Sequence, residues 1–113
     1  MKLVIAYIRP ECLNAVKQEL ANRKIHNISV MNALGSGRQK VGADTYRGVL
    51  MEVNLIKKVR LEIGVNDDFV EPTVAAISHA AKTGKEGDGI IFVMECAGAI
   101  RIRTLENGPA AMG

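Results

Sequence analysis

Two short stretches decide most of what this chain can become: Leu3-Val4-Ile5-Ala6-Tyr7-Ile8 and Ile90-Ile91-Phe92-Val93-Met94. Successive side chains on a strand point to opposite faces, so a strand apolar in both alternating sets needs cover on both. Leu3/Ile5/Tyr7 and Val4/Ala6/Ile8 are two such sets, and the second stretch is apolar on both faces as well. Helical patterns supply part of that cover. Pro10 opens a helix to about Lys24, with Leu13, Val16 and Leu20 inward and Asn14, Lys17 and Gln18 outward. Asp68 with Glu71 makes a capping-box pattern ahead of a second helix, whose inward stripe is Val70, Val74, Ile77 and Ala81. Pro72 must then sit in its first turn.

Two more strands complete the pattern. Ile28 to Leu34 ends at Gly35, and Val59, Leu61, Ile63 and Val65 alternate with Lys58, Arg60, Glu62 and Gly64. The order is β-α-β, a long loop, then β-α-β. It predicts an α+β fold: a ferredoxin-like βαββαβ sandwich, one domain over 1–113, with two helices on one face of a four-stranded antiparallel sheet. A chain of 113 residues has nothing left for the other face. Self-association through that face, and hence a homo-oligomer, is expected.

Composition narrows the function. Hydrophobic residues make up 48%, enough for a core, but only 4% are aromatic and there is no Trp, so stacking platforms for single-stranded nucleic acid are poorly supplied. The net charge of +3 suits anionic small molecules, and equally an ordinary solvated surface. Cys12 and Cys96 share no CxxC spacing, so buried or half-buried free thiols are expected. Nothing resembles a signal peptide or an apolar run of about 20 residues, which points to a soluble, intracellular protein.

The candidate site is Thr83-Gly84-Lys85-Glu86-Gly87-Asp88-Gly89. Gly costs about 1 kcal/mol relative to Ala inside a helix, so this run is a loop. Its glycines let backbone N–H groups form a concavity for an anion such as phosphate. Gly35-Ser36-Gly37-Arg38-Gln39-Lys40 and Arg101-Ile102-Arg103 flank it in sequence, and all three are expected to converge on a nucleotide. If 99–104 is extended, Arg101 and Arg103 leave one face and suit bidentate phosphate contacts. Read singly, each feature has an ordinary alternative: a solvated edge, a glycine turn, or a solvated Lys58. From Gly37 to about Leu55 no apolar period survives, and long irregular spans are typically functional. Tyr46 and Arg47 fit the tip of a partner-docking loop, or a plain extended hairpin. No catalytic set emerges: His26 and His79 lie in unrelated elements, and no Ser sits in a nucleophile elbow. A slow ATPase would need a residue to activate water. A nucleic-acid-binding domain of this fold would carry aromatics where these strands are aliphatic. A binding module fits better than an enzyme.

Taken together, Gly37-Arg38-Gln39-Lys40, Tyr46-Arg47-Gly48, Thr83 to Gly89, Ile91-Phe92-Val93 and Arg101-Ile102-Arg103-Thr104 resemble the PII signal-transduction proteins, with matching spacing over nearly the whole chain. The resemblance implies a cytoplasmic homotrimer that binds ATP or ADP in clefts between subunits. It also implies sensing of 2-oxoglutarate with Mg-ATP, and a long flexible loop, here about 37–55, that docks on a membrane transporter or an enzyme in nitrogen regulation. By position, Gly35, Gly37 and Arg38 with Gly64 and the Ser29 region would enclose the adenosine. Gly87, Asp88 and Gly89 with Arg101, Arg103 and Arg38 would hold the phosphates. Gln39 would meet Mg²⁺, Gln39, Lys40 and Lys58 would serve the 2-oxoglutarate site, and Tyr46, Arg47 and Met51 would lie on the docking loop. Nucleic acid is not an implied partner.

The chain also departs from that pattern. Ile90 stands where the family usually has a phosphate-binding lysine, Leu105 where it has a glycine, and Val41 alters the loop base. Met51 and Val49 stand where other members carry a modified tyrosine and serine, so no covalent modification is expected there. These departures leave open a related sensor of adenylates or bicarbonate that regulates a carbon or metal transporter.

Overall fold

Strand β1 (Lys2–Ile8) takes a central place in the sheet. The computed structural model describes residues 1–36, 45–46, 49–50 and 55–112. After β1 come α1 (Leu13–Asn22), β2 (Ser29–Gly35), β3 (Thr45–Tyr46), β4 (Val49–Leu50), β5 (Ile56–Val65), α2 (Val70–Ala81), β6 (Gly89–Glu95) and α3 (Pro109–Met112). β1 pairs antiparallel with β5, Val4 opposite Ile63, and with β6, Val4 opposite Val93. β2 pairs antiparallel with the outer edge of β5, giving the order β2-β5-β1-β6. This is the four-stranded α+β sandwich that the sequence predicts. Within the long loop, β3 and β4 form a separate two-residue ladder, Tyr46 opposite Val49. Gly37, Arg38, Gln39, Lys40, Val41, Arg47 and Met51 lie outside the described residues.

The core lies between the sheet and the two long helices. Val4, Ala6 and Ile8 of β1 and Val59, Leu61, Ile63 and Val65 of β5 pack against Val16 and Leu20 of α1 and Ala76, Ile77 and Ala81 of α2. Leu61 and Ile63 are fully buried, each worth about 1.5–3 kcal/mol in removed apolar surface. Cys12 is buried and Cys96 half-buried, both free thiols. Val70 and Val74 of the expected stripe are only half-buried; Thr73 goes fully inside instead. Its hydroxyl donates to Phe69 O at 2.6 Å, which removes the cost of burying it. Pro72 is the third residue of α2, where the missing N–H costs no helical bond.

Two expectations need correction. The Asp68–Glu71 capping box does not form: a 3-10 turn over Asp67–Phe69 leads into α2, so Phe69 takes the cap position with no side-chain cap. The segment around Arg101 and Arg103 is a turn and not an extended strand. Leu105 N–H donates to Arg101 O at 2.8 Å and Arg101 N–H to Glu106 O at 2.8 Å, with Leu105 itself at φ 61°. The shared-face argument for the two arginines therefore lapses. The tail, which carries no periodic signal, folds at Pro109–Met112 into the short helix α3.

The face of the sheet away from the helices is uncovered in the single chain. Along β6 it carries Ile90, Phe92 and Met94, which are 53%, 46% and 50% exposed. Beside them Arg60 Nη1 donates to Tyr7 Oη at 2.8 Å and Nη2 to Glu62 Oε2 at 2.7 Å. The Arg60 guanidinium also stands 5.6 Å from the centroid of the Tyr7 ring.

Candidate functional site

The glycine loop gets its shape from left-handed backbone. α2 stops at Lys82, whose ψ of 120° is extended, and the chain then turns through Gly84 (φ 86°), Gly87 (φ 92°) and Gly89 (φ 114°). A side chain at any of these would cost about 1–2 kcal/mol in strain. Gly89 is further required because a Cβ there would stand 1.7 Å from Tyr7 O, inside the backbone of β1.

Asp88 organises the loop from within. Its carboxylate accepts the Thr83 N–H at 2.8 Å, the Gly84 N–H at 2.9 Å and the Thr83 hydroxyl. Arg9 Nε donates to it at 3.3 Å, and Arg9 Nη2 also reaches Glu86 O. The Thr83 hydroxyl foremost, then the Thr83 and Gly84 amides and Arg9, hold this carboxyl well below the usual carboxylate range against the opposing effect of desolvation. Asp88 thus touches the loop, and its oxygens are taken up there. Arg9, which sequence reasoning missed, is fixed because Ile8 lies opposite Gly89 across the β1–β6 ladder. Only that pairing, which brings together Arg9 and Asp88 from 79 residues apart, could have pointed to it.

Lys58 is no solvated lysine. It is half-buried, and its Nζ donates to Gly87 O at 2.6 Å, which ties β5 to the loop. A Cβ on Gly35 would lie 3.6 Å from Lys58 Cγ, so Gly35, Lys58 and the loop 83–89 share one end of the sheet.

The remaining candidates lie at the other end. Ser29 pairs with Glu62, and Gly64 pairs with Leu3. β6 runs from Gly89 beside Ile8 to Glu95 beside Lys2, and the next residue, Cys96, donates its N–H to Met1 O at 3.2 Å. The turn with Arg101 and Arg103 therefore follows the far end of a seven-residue strand, about 20 Å from the glycine loop. Both arginines are exposed, as are Ile100, Ile102 and Leu105. The expected convergence of the three anion-seeking stretches does not occur within one chain: β6 lies between two of them. Among the described residues no group of three or more His, Cys, Asp or Glu could hold a metal ion. Gln39, the expected Mg²⁺ contact, lies outside them.

An antiparallel βαββαβ sheet, covered by helices on one side only and carrying glycine and basic residues at both ends, defines a ferredoxin-like domain. The family model described as "Nitrogen regulatory protein P-II" matches residues 1–106, and the chain belongs to that family. It is 46% identical to nitrogen regulatory protein GlnK1 of Methanosarcina mazei, covering 99% of this chain and 97% of the relative. It is 46% identical to nitrogen regulatory protein P-II of Bradyrhizobium diazoefficiens, covering 96% of each. To nitrogen regulatory protein GlnK of Escherichia coli it is 42% identical, over 99% of this chain and the full length of the relative. The fold and family together mark a nitrogen-regulatory signal-transduction protein. Among the described residues no helix is long and apolar enough to cross a membrane.

Proposed function

We propose that the chain, one PII-like domain over 1–113, works as a cytoplasmic homotrimer that binds ATP or ADP between subunits and regulates a partner rather than catalysing a reaction. One observation carries this reading. Gly35, Lys58, Gly87 and Gly89 stand at one end of the sheet, whereas Ser29, Gly64 and the Arg101–Arg103 turn belong to the other. A site that uses both sets is completed by a second copy. The uncovered row Ile90, Phe92 and Met94 supports such contact. The donor chemistry fits a polyphosphate: glycine backbone, two guanidinium groups and an ammonium.

In this reading Gly35, Gly37, Arg38, Ser29 and Gly64 enclose the adenosine, and Gly87, Gly89, Arg101, Arg103 and Arg38 hold the phosphates. Asp88 serves the site by fixing the loop. Gln39 holds Mg²⁺ with ATP, which supplies charge neutralisation when bound. Lys58 and Lys40 take a carboxylate of 2-oxoglutarate, and Lys58 must leave Gly87 O to do so. Loop 37–55, with Tyr46, Arg47 and Met51, then orders or releases itself against a membrane transporter or enzyme.

Calorimetric titration with ATP, ADP and AMP in Mg²⁺, with and without 2-oxoglutarate, tests the ligands. The expected result is 2-oxoglutarate binding only when Mg-ATP is present. The subunit arrangement is tested with an Arg101→Ala/Arg103→Ala chain and a Gly87→Val chain. Each is expected to bind ADP poorly alone, while mixed assemblies regain some sites; no recovery on mixing refutes a shared site. Ile90 favours a second reading. It places an aliphatic side chain where a charge-assisted phosphate contact worth about 1.5–3 kcal/mol is usual. If nucleotides bind and 2-oxoglutarate never does, the signal is an adenylate or bicarbonate, and the target is a carbon or metal transporter.

A further inference from the structure

Helix α3 (Pro109–Met112) returns across the end of the sheet where β5 finishes. Gly108, at φ 66°, turns the chain and donates its N–H to Ala99 O at 3.1 Å; Ala111 N–H then bonds Gly108 O at 3.0 Å. Asn66 grips the helix from the other side, its Nδ2 donating to Pro109 O at 3.2 Å. Met112 is seated against β5: a Cβ built on Gly64 would lie only 3.0 Å from its Sδ. The thioether therefore fills the space directly over the Gly64 backbone. What remains beside it, bounded by Ile25, His26 and Phe69, is a cavity of about 120 Å³. Ligand pockets begin at roughly 300 Å³.

Gly64 is two residues along β5 from Glu62, the register partner of Ser29. The space that Met112 fills thus adjoins the end of the cleft assigned above to adenosine. We infer that α3 is a tethered plug, and that Met112 and the base of the nucleotide compete for the surface of Gly64. The inference rests on the nucleotide reading of that end of the sheet. Among the described residues few contacts hold the plug: Asn66 to Pro109, Met112 over Gly64, Gly108 to Ala99, and the isolated bridge between Ile100 and Asn107. Two left-handed residues, Leu105 (φ 61°) and Gly108 (φ 66°), bracket its tether. A site open only a fraction of the time binds more weakly by that same fraction, so α3 sets the nucleotide level at which the protein responds.

The test titrates ADP into the full chain, Met112→Ala, and Met112→Leu as a volume-keeping control. Losing the partly buried thioether contact is expected to tighten ADP binding about three- to tenfold in Met112→Ala, with Met112→Leu within about twofold of the parent. Linkage adds a second readout in the unmutated chain. If ligand and plug exclude each other, hydrogen exchange at the Ala111 amide speeds up when ADP saturates. Unchanged or weaker ADP binding by Met112→Ala, or slower Ala111 exchange with ADP, overturns the plug and makes α3 a wall of the site. If neither the parent nor the variants bind ADP, the nucleotide reading itself falls, and the plug with it.

Discussion

Replacing Gly89 with alanine probes the joint between the fold and the loop. Two penalties add there. A residue with a Cβ held at φ 114° costs about 1–2 kcal/mol. The new methyl would also sit 1.7 Å from Tyr7 O and 2.8 Å from Tyr7 C, and both belong to the backbone of the central strand. No side-chain rotation relieves that overlap, so β1 or β6 must shift by more than 1 Å, at an overpacking cost of about 1–3 kcal/mol. The sum, roughly 2–5 kcal/mol, is a large part of the 5–15 kcal/mol that domains of this size possess. Two other glycines separate the terms. At Gly84 a Cβ meets nothing within 4 Å but the φ is 86°, so Gly84→Ala should lose only the strain, about 1–2 kcal/mol. At Gly98 the Cβ again meets nothing within 4 Å and the φ is not left-handed, so Gly98→Ala should stay within about 0.5 kcal/mol of the parent. Urea unfolding followed by circular dichroism at matched protein concentration ranks the three. If Gly89→Ala unfolds no earlier than Gly84→Ala, the register that sets Gly89 against Ile8 is wrong.

Asp88 gives the loop an acid limit. Its folded pKa lies below the unfolded value of about 3.9, so its contribution is fully present above that pH and fades as pH falls toward the folded pKa. The stability gap between the parent and Asp88→Asn should be flat from about pH 5 to 7 and close below about pH 4 in thermal melts; a gap independent of pH contradicts the Thr83 and Gly84 contacts. Thr73→Val keeps the shape of the side chain and loses the bond to Phe69 O, for an expected cost of about 1 kcal/mol by urea titration, and a more stable variant would show that the hydroxyl contributes nothing.

The sheet was legible wherever one physical rule dominated. In β5 the alternation of Val59, Leu61, Ile63 and Val65 with Lys58, Arg60 and Glu62 follows directly from one buried face. The two apolar sets of β1 divide between the faces: Val4, Ala6 and Ile8 go to the core, and Leu3, Ile5 and Tyr7 to the face that the helices leave open. What escaped the sequence was set by contacts between distant residues. Asp68 carries a capping signal, yet a 3-10 turn precedes α2, Asp68 lies inside that turn, and no side chain caps either start. Leu105 in a left-handed turn has no local signature, since leucine rarely adopts it, and so the segment with Arg101 and Arg103 read as extended. Of the site, the residue types and the loop were legible, while their division between the two ends of the sheet was not. That division depends on β6 running antiparallel beside β1, which no local pattern states.

The strand order β2-β5-β1-β6 governs when the chain can fold as well as how. β1 never pairs with β2; its partners are residues 59–65 and 89–95. A nascent chain that has reached Gly35 owns two strands and a helix but no ladder to join them. The central strand must wait, its apolar faces unpaired, until β5 emerges. At about 5–20 residues per second that wait is a matter of seconds. The glycine loop waits longer, because Arg9 cannot meet Asp88 until β6 has been made. Cutting the chain between β2 and β5 should therefore yield a first half with no sheet, and the contact between Arg9 and Asp88 should arrive only with the last strand.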